Sequence, residues 1–552
     1  ADYRIMTRPF DLAYYKDGAG SSVCVAEWQD EGKQQFTLRV NGKAEASTTG
    51  DVSTQLLCGH IPMLLRPQSQ DVLVIGLGSG MTCSAVARHP SIQRLDVAEI
   101  SPEVVEAAHY FRNHNDQLLQ NPKVRVVIED AKSFLKITDH KYDVIVSEPS
   151  NPWMAGVAAV FSREYYENCR SRLKEDGIMT QWLQAYETNE EAMNTVFATF
   201  TAVFPFMSVW QGTLGDIILI GSTQPLKVDL GALEQRFQDE RVKSDLARFQ
   251  LTSVVAFLSR EVISQQHGQF IVPPNTPQHS DYYPTLEYLA QRALFTRRQG
   301  EAWRVFDETY SLRPTTLLAD YLKSRPITEE DFLVFARMYE KEHLIPGPLM
   351  RSLIYRWQRD HPQTITTLEM LVQLDDMRQS SELEVFRLTP AREFLLKYSE
   401  KSPGLLRYYE KAMMLTYRSH RSVFFQPPAR ELERVIHRLL ETDPANRRVY
   451  HLHLAELAWD RGDDEAFFAL AEKALDPDTA RGGPVNFAND PKAPGLILAR
   501  MADTYFRKGQ LPQALQIAVN AREQKYLEPS STYYHPLLDM VCRKIEAATA
   551  AP

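Results

Sequence analysis

The chain has few cysteines, and they lack the spacings that cysteine chemistry needs. They are scattered along the sequence without a CxxC pair or a zinc-ligand spacing: Cys24, Cys58, Cys83, Cys169 and Cys542. Neither a disulfide framework nor a zinc site is indicated, and no HExxH or comparable histidine cluster suggests another metal. We therefore expect a protein of a reducing compartment, the cytoplasm, that uses no metal.

Basic charge and long apolar runs are also scarce. Lys and Arg number 62 against 71 Asp and Glu, a formal net charge of −9, whereas nucleic-acid-binding chains normally show a clustered basic excess. A run of about 18 or more apolar residues, as a membrane-spanning helix needs, does not occur. We expect no nucleic-acid partner, and the acidic balance suits a cationic substrate in a general way.

The length predicts several domains. At 552 residues the chain exceeds what one hydrophobic core normally organises. Alternating apolar and polar residues near the N-terminus predict a small antiparallel sheet, with Asn41 and Gly42 at a hairpin turn. We expect a β-sheet domain over 1–65, a Rossmann-like domain over 66–225, a mixed extension completing it over 226–297, and a helical domain over 298–552.

Four apolar runs between residues 71 and 153 each end in a polar or glycine-rich turn. They are predicted strands: Val72–Ile75, Arg94–Ala98, Val124–Ile128 and Tyr142–Val146. Because the carboxyl ends of parallel strands meet at one edge of a sheet, the four turns are expected to lie together and to form a ligand crevice. This ordered series indicates an adenosyl-sulfonium nucleoside from which a group is transferred.

The first turn is glycine-rich. Gly76, Gly78 and Gly80 precede a helical pattern that starts at Met81, and such glycines let the backbone approach a ligand at a helix N-terminus. A dinucleotide fingerprint would need a third small residue at position 81, which weakens an NAD interpretation. Simple turn formation is the alternative to ligand contact.

The second and third turns each carry an acid. Glu99 follows Gly76 by 23 positions, a spacing that suits a carboxylate holding a ribose diol. Ser101 and Pro102 then open a helix. Asp130, followed by Ala131, could bind the amine and a ring nitrogen of an adenine through its side chain and a backbone amide. A solvated strand-end acid is the alternative for Glu99.

The fourth turn has the composition of an active-site turn. After Ser147, two prolines fix the backbone around Glu148 and Asn151, and the small residues of 153–159 permit a mobile loop. Glu148 is the candidate proton acceptor, with a capped turn bearing a solvated acid as the alternative. Residues after the next strand could wall an amine site, although Trp182 also suits core packing: Gln181, Trp182 and Tyr186.

Several motifs in order resemble a known family. The stretch from about residue 35 to 222, which contains LRVNGKAE and GIMTQWLQAY, resembles spermidine synthase and the related polyamine aminopropyltransferases. SEPSNPWMAGVAAVFSREYY resembles the spermidine-synthase-like domains that follow membrane helices in bacterial fusion proteins. NTPQHSDYYPTLEY (275–288) stands where those proteins carry an NTDD-like signature. The resemblance implies a class I methyltransferase-type Rossmann-like sheet, allows a homodimer, and suggests a membrane-embedded segment outside this sequence.

The resemblance also implies a role for each polar residue. Binding of decarboxylated S-adenosylmethionine, or of S-adenosylmethionine itself, is expected at Gln55, Gly76, Gly78, Ser79, Gly80, Glu99, Asp130, Ala131 and Ser147. Glu148 stands where the family has its catalytic aspartate. Binding of a small cationic amine, or of a peptide or protein acceptor, is expected at Asn151, Gln181, Trp182 and Tyr186.

Three positions depart from the family pattern. Ser79 and Asn151 replace aspartates, and Glu148 replaces a shorter acid. A pocket for two cationic substrates needs carboxylates to offset their desolvation, so this one is predicted to have lost two. Aminopropyl transfer from decarboxylated S-adenosylmethionine is the leading hypothesis. Methyl transfer from S-adenosylmethionine and a non-catalytic nucleoside fold serving as a scaffold are the alternatives.

The C-terminal region carries spacings typical of tetratricopeptide (TPR) repeats. Gly462 and Gly509 separate paired helices that place aromatic or small residues where they would cross: Phe467, Ala471, Ala474, Tyr505, Ala514, Ala518 and Ala521. The glycines are 47 residues apart, instead of the usual period of about 34, because DTARGGPVNFANDPKAP is inserted. We expect a TPR-like array with two clear units, preceded by degenerate ones, that binds a partner; packing within the chain is the alternative.

Overall fold

The fold is taken from a computed structural model of the chain. The described residues are 10–30, 32–213, 215–249, 251–296, 300, 302–306, 315–325, 328, 330–331, 410, 414, 429–475, 493–523, 526–528 and 534–550. The chain divides into two compact units, one formed by 1–304 with 315–324 and the other by 305–314 with 325–552. Within the described parts, none of the helices combines the length and the apolar character needed to cross a membrane.

The first unit begins with a four-stranded antiparallel sheet. Its strands pair in chain order: β1 (Asp11–Asp17), β2 (Ser22–Asp30), β3 (Lys33–Val40) and β4 (Lys43–Ser47). Asn41 and Gly42 connect β3 to β4 with φ angles of 51° and 80°, the left-handed pair that a two-residue hairpin needs. The predicted antiparallel sheet and its turn are confirmed.

The second sheet has eight strands and forms the centre of the first unit. They are β5 (Asp71–Ile75), β6 (Arg94–Glu99), β7 (Val124–Ile128), β8 (Tyr142–Ser147), β9 (Leu173–Gln184), β10 (Phe206–Gln211), β11 (Asp216–Ser222) and β12 (Glu261–Ile263). Their order across the sheet is β12-β10-β11-β9-β8-β5-β6-β7. The pairs from β7 to β9 are parallel, whereas β11 is antiparallel to β9 and β10. This mixed order confirms the predicted Rossmann-like, methyltransferase-type sheet.

Helices cover the second sheet. Those described in the first unit are α1 (Val52–Leu65), α2 (Met81–Ala87), α3 (Pro102–Ala107), α4 (Ala131–Ile137), α5 (Arg163–Arg172), α6 (Glu190–Val203), α7 (Leu230–Phe237), α8 (Glu240–Ala247), α9 (Val254–Leu258), α10 (Thr285–Thr296) and α11 (Leu317–Ser324). The predicted start of α3 is confirmed, because the Ser101 hydroxyl accepts a hydrogen bond from Val104 N–H at 3.3 Å and Pro102 follows it.

The ligand crevice predicted from the sequence lies at the carboxyl end of β5, where the strand order changes direction. On one side of β5 lie β6, which the chain reaches through α2, and then β7. On the other side lie β8 and then β9. Residues throughout β8 are buried, as expected for a parallel strand covered on both faces. The carboxyl ends of β5, β6 and β8 therefore meet at a topological switch point, where open α/β sheets bind ligands.

A buried ionisable network holds α1, whose N-terminal end enters this crevice. The His60 ring lies between His89 and Asp245, with Nδ1 3.0 Å from His89 Nε2 and Nε2 3.0 Å from Asp245 Oδ2. Arg248 donates to the other oxygen of Asp245 at 3.0 Å. Burial lowers the pKa of His89 well below its ordinary value. The extension after β11, which contributes Asp245 and β12, thus supports α1 and the edge of the sheet.

The described part of the second unit is helical. Its helices are α12 (Ala429–Thr442), α13 (Arg447–Arg461), α14 (Asp464–Leu475), α15 (Ala493–Arg507), α16 (Leu511–Glu523) and α17 (Pro536–Ala550). Gly462 directly follows α13 and Gly509 lies two residues after the end of α15, with φ angles of 78° and 72°; a left-handed glycine commonly ends a helix at such a place. The helical character is confirmed, and the TPR-like arrangement stays a prediction.

Two sequence predictions fall on other parts of the chain. The inserted stretch up to residue 492 and most of the degenerate repeats expected before residue 429 lie outside the described residues. Of the predicted crossing residues, Tyr505 is half-buried and the others are buried: Phe467, Ala471, Ala474, Ala514, Ala518 and Ala521.

Candidate active site

The glycine loop lies directly against the fourth turn. Gly76, Gly78 and Gly80 have φ angles of 91°, 53° and 83°, which residues with a side chain rarely adopt. A Cβ on Gly76 would lie 2.6 Å from the carbonyl oxygen of Glu148, and Glu148 N–H donates to Ile75 O at 3.0 Å. The glycines thus bring the main chain of both turns into contact.

Glu99 binds the main chain of the glycine loop. Its Oε2 accepts from Leu77 N–H and its Oε1 from Ser101 N–H, both at 2.9 Å. Burial raises the pKa of Glu99, and the backbone amides around it act in the opposite direction. The carboxylate therefore orients the loop while its remaining lone pairs can still accept hydroxyl hydrogen bonds.

The third turn has the geometry of a helix N-terminus. Asp130 is half-buried and accepts from Ser133 N–H at 2.9 Å as the N-cap of α4, and Ala131 begins that helix. Anions and electron-rich atoms are favoured at such an end. Ser147, at the end of β8, is fully buried, and its hydroxyl oxygen accepts a hydrogen bond from Tyr165 at 2.8 Å.

Ser79 and Gln55 meet beneath the glycine loop. The Ser79 hydroxyl donates to Gln55 Oε1 at 2.5 Å, and Gln55 Nε2 donates to Asp51 Oδ2 at 3.0 Å and to Ser47 O at 3.1 Å. Ser79, a neutral residue, is therefore linked to Asp51 through the side-chain amide of Gln55. Two residues that the sequence placed in one site are in direct contact.

Glu148 is the most strongly perturbed carboxyl group of the crevice. It accepts a hydrogen bond from the Thr82 hydroxyl. Its pKa is raised to about 8, mainly by burial. Repulsion from Asp51 and Asp216 contributes to this rise, and the Thr82 hydrogen bond partly offsets it. Such a group exchanges a proton near neutral pH.

Two acids supply negative charge that the sequence analysis did not assign. Asp51 precedes α1, and burial raises its pKa to about 6. Asp216, at the start of β11, accepts from the hydroxyls of Thr54 at 2.8 Å and Thr213 at 2.6 Å. The loss of two carboxylates at positions 79 and 151 stays a prediction, while distant segments bring these two other acids close enough to Glu148 to raise its pKa. An acid directly before an apolar helix was the one available signal for Asp51.

Two of the predicted acceptor residues, Gln181 and Trp182, lie on opposite faces of β9. Trp182 lies on the same face of the sheet as Asp216, and its side chain favours the charged form of the Asp216 carboxyl group. Gln181 lies beside Ser147, with Nε2 donating to Trp182 O at 3.0 Å.

The other two predicted acceptor residues follow the fourth turn and β9. Asn151 is fully buried and Tyr186 half-buried. The pKa of Tyr186 is raised by burial and by Asp216, while Asn151 lowers it. Trp182 and Tyr186 thus lie near Asp216, and Asn151 lies beside Tyr186.

The segment 275–288, which the sequence analysis singled out, fixes the loop after the fourth turn. Gly156 N–H donates to Glu287 Oε1 at 3.2 Å, and His279 Nε2 lies 2.9 Å from Ala158 O. Arg163 N–H in turn donates to His279 O at 2.9 Å. The 153–159 loop is therefore held from outside the Rossmann-like domain.

Comparison with known proteins agrees with this geometry. A family model described as the spermine/spermidine synthase domain matches residues 52–214. The match covers every predicted site residue from Gln55 to Tyr186, whereas Asp51 and Asp216 lie just outside it.

Curated relatives are similar over part of the chain. A polyamine aminopropyltransferase of Clostridium perfringens is 32% identical over 154 residues, 28% of this chain and 54% of that protein. One of Methanocaldococcus jannaschii is 25% identical over 252 residues, 43% of this chain and 83% of that protein. The chain spans about half the length of the first of these relatives. A crystal structure of spermidine synthase with the transition-state analogue AdoDATO shares 21% identity, covering 43% of this chain and 88% of that one, with a TM-score of 0.35.

Proposed function

We propose that this chain is a transferase that moves an aminopropyl group from decarboxylated S-adenosylmethionine to an amine. The observation that carries the proposal is Glu148, a carboxyl group with its pKa raised to about 8, placed against the glycine loop. The spermine/spermidine synthase domain match and the aminopropyltransferase relatives support it. An ordinary solvated acid would accept a proton from an amine far less readily.

The glycine loop and the second and third turns form what we call the donor half of the crevice, and their residues fit an adenosyl group. Close approach of Gly76 to the fourth turn leaves no room for a side chain there, and the positive φ angles of the loop glycines allow a tight turn whose backbone a ligand can approach. Glu99 has lone pairs for a ribose diol, and Asp130 with Ala131 forms a helix N-terminus for an adenine. We propose these residues as the donor-binding set, together with Gln55, Gly78, Ser79, Gly80 and Ser147.

The chemistry divides simply between donor and protein. The donor supplies a sulfonium leaving group, so the chain has to align the acceptor and receive a proton. The acceptor nitrogen bonds to the carbon beside sulfur while the carbon–sulfur bond breaks and its electron pair stays on sulfur. One N–H proton passes to Glu148, and Thr82 orients that carboxylate. Asn151, Gln181, Trp182 and Tyr186 are proposed to contact the acceptor.

Methyl transfer from intact S-adenosylmethionine is the second candidate, and one observation favours it. Ser79 and Gln55 form a neutral pair at the position where the resembling family has an acid. A neutral pair does not repel the α-carboxylate that distinguishes this donor. The acceptor would then be an amine, a peptide or a protein.

Titration calorimetry with both nucleosides, followed by product mass, tests the proposal. Tighter binding of decarboxylated S-adenosylmethionine and a product that gains an aminopropyl group support it. Tighter binding of S-adenosylmethionine with a product that gains a methyl group supports the second candidate. Binding of neither nucleoside would leave the fold as a scaffold and overturn both.

For the second unit we propose a TPR-like module that binds a peptide or a partner protein. The left-handed glycines after α13 and α15 and the buried small residues of α14 and α16 support it. Helix crossing angles in an experimental structure of the full chain test this proposal. A homodimer and attachment to a membrane are proposed from the family resemblance alone. Solution mass tests the first, and fractionation of the native protein tests the second.

A further inference from the structure

Asn115 is a buried amide behind the glycine loop, in the segment between α3 and β7. Its side chain belongs to a residue that is 1% exposed, and Nδ2 donates to Ser79 O at 2.8 Å and to Ala108 O at 3.1 Å. The same group lies against Gly80, where a Cβ would be 3.0 Å from Nδ2. One side chain therefore ties the glycine loop to the segment that follows α3.

The bond from Asn115 completes the fixing of the Ser79–Gly80 peptide. Ser79 O accepts from Asn115, and Gly80 N–H donates to Leu77 O at 2.8 Å, so both polar atoms of this peptide have partners. The Ser79 hydroxyl also accepts from Met81 N–H at 3.2 Å. A ligand of the loop would therefore meet a conformation that is set before binding, which keeps the reorganisation cost of binding low.

Two residues in the left-handed region of backbone conformation follow Asn115. Asp116 and Gln117 both have φ angles of 54°, which residues with a side chain seldom adopt. Such a conformation costs free energy and persists where surrounding contacts enforce it, commonly at functional sites. With this backbone, the successive side chains of Asn115 and Asp116 bind the glycine loop and α2, respectively.

Asp116 anchors the segment to α2, the helix that begins at the end of the glycine loop. The Ser84 hydroxyl donates to its Oδ2 and Arg88 Nη2 to its Oδ1, both at 2.9 Å. Arg88 also lies 3.5 Å from Asp245, in the buried network that supports α1. The segment 115–117 is thus held against α2 by charged side chains, which keeps Asn115 within reach of Ser79 O.

We propose that Asn115 is a positioning residue for the donor, because its hydrogen bond to the Ser79 carbonyl holds the glycine loop in the conformation that the donor meets. This inference rests on the proposed function, in which the glycine loop binds the donor. Without the bond, the loop would have to reorganise when the donor binds, and the affinity for the donor would fall accordingly. Proton transfer to Glu148 would change little, because the bound donor restores the loop.

The test uses Asn115→Asp, which keeps the size of the side chain and removes the amide hydrogens. By calorimetry at about pH 8, we expect the Kd of the donor to rise roughly 10-fold, because Ser79 O loses its partner. At saturating donor, kcat should stay within about 3-fold of wild type. The added negative charge would by itself attract a sulfonium cation, so weaker binding cannot come from the charge.

A pH dependence distinguishes the hydrogen bond from packing. Burial raises the pKa of a carboxyl group, and the protonated form can donate a hydrogen bond again. At about pH 5.5 the deficit of Asn115→Asp relative to wild type should therefore shrink to about 3-fold or less. Asn115→Leu has a side chain of similar size without a donor, and its deficit should be the same at both pH values.

Asn121→Asp is the matched control. Asn121 Oδ1 accepts from Lys123 N–H at 3.0 Å, a bond that an aspartate keeps, so the Kd of the donor should equal that of wild type. Thermal unfolding checks that each variant is folded. Unchanged donor affinity in both Asn115 variants overturns the inference. A deficit in Asn115→Asp that does not shrink at the lower pH overturns it as well.

A second measurement separates this inference from the proposed function. Binding of neither nucleoside by the wild-type chain would overturn the proposed function. Hydrogen exchange of the free chain then decides the role of Asn115. The amides of residues 76–84 should exchange roughly 10-fold faster in Asn115→Asp than in wild type, while those of α5 stay unchanged. Equal exchange of residues 76–84 in the two proteins overturns the inference.

Discussion

The two halves of the crevice differ in how their buried polar groups are satisfied. In the donor half, both oxygens of Glu99 accept main-chain hydrogen bonds, and Asp130 caps a helix. The acceptor half comprises the fourth turn, the end of β9 and the start of β11. There, the side-chain amide of Gln184 has no hydrogen-bond partner, and repulsion from Asp51 and Asp216 contributes to the raised pKa of Glu148.

The difference shows where the protein is complete and where it needs a ligand. Groups bonded to the main chain are oriented before binding, which keeps the reorganisation cost low. Groups left without partners or held close to like charges gain most when a ligand arrives. Under the proposed function, donor recognition thus relies on the backbone, whereas acceptor recognition and proton transfer depend on side-chain electrostatics.

The largest expected effect follows from removing the proton acceptor. Glu148→Gln should lower kcat by roughly 10²- to 10⁴-fold, the usual contribution of a positioned general base. The affinity for the donor should change by less than about 3-fold, because main-chain groups hold the donor half. Turnover assays and calorimetry on the same preparation measure both quantities.

Glu175→Gln is the matched control for this experiment, since Glu175 is exposed on β9. Unchanged turnover in Glu148→Gln would remove the catalytic role of this residue and favour a scaffold. A parallel loss of donor affinity would instead show that the two halves are not separable.

A smaller effect is expected from the donor half. Glu99→Gln should weaken donor binding by roughly 10- to 100-fold, because it removes the charge from hydrogen bonds to the loop and to the ribose. At saturating donor, kcat should fall much less than in Glu148→Gln. Calorimetry gives the Kd of the donor, and a turnover assay at saturating donor gives kcat. A normal Kd with slow turnover would contradict this prediction.

The pKa of Glu148 also predicts a pH-dependent stability. Its folded-state pKa of about 8 lies above the ordinary value of 4.5, so the folded state binds its proton more tightly. The corresponding stability is present below about pH 4.5 and is lost as the pH rises through about 8. Glu148→Gln should therefore be more stable than wild type at pH 9, by about 1–3 kcal/mol, with little difference at pH 4.5. Urea unfolding at the two pH values measures this, and a gain at pH 4.5 alone would contradict it.

Two substitutions should move the pH profile in opposite directions. The Thr82 hydrogen bond lowers the pKa of Glu148, and the charge of Asp216 raises it. In Thr82→Val the acid limb of kcat/KM should move to higher pH, and in Asp216→Asn to lower pH, each by roughly half a unit to one unit. Parallel shifts would assign the limb to another group, such as the acceptor amine.

The smallest effect concerns the loop after the fourth turn. Glu287→Ala removes one hydrogen bond to Gly156, which normally contributes about 1 kcal/mol. Cleavage by chymotrypsin after Trp153 should become roughly 2- to 5-fold faster through local opening. Glu175→Ala provides the control rate, and an unchanged rate in Glu287→Ala would show that His279 alone holds the loop.

Local sequence patterns were sufficient for the donor half. Strand, glycine turn and helix follow one another within a few residues around Gly76, and Ser101 with Pro102 marks a helix start that the structure confirms. Such features depend on backbone conformation near one point of the chain. The order of the strands followed from the family resemblance more than from the patterns themselves.

The acceptor half required contacts between distant segments. Asp216 bonds to Thr54 across 162 positions, and Thr82 to Glu148 across 66. A single sequence does not show such pairings. Asp51 directly precedes α1, yet its side chain makes no capping hydrogen bond and instead accepts from Ser47 N–H at 3.0 Å. The sequence patterns singled out neither Asp51 nor Gln184.

The contact between Gly76 and the Glu148 carbonyl limits how new acceptors can be accommodated. Because a single added carbon would clash at 2.6 Å, the distance between the glycine loop and the fourth turn is set by main chain alone. Under the proposed function, this fixed distance separates the donor from the proton acceptor. A change of acceptor would then require substitutions at outlying side chains, because moving Glu148 would also displace the loop proposed to bind the donor.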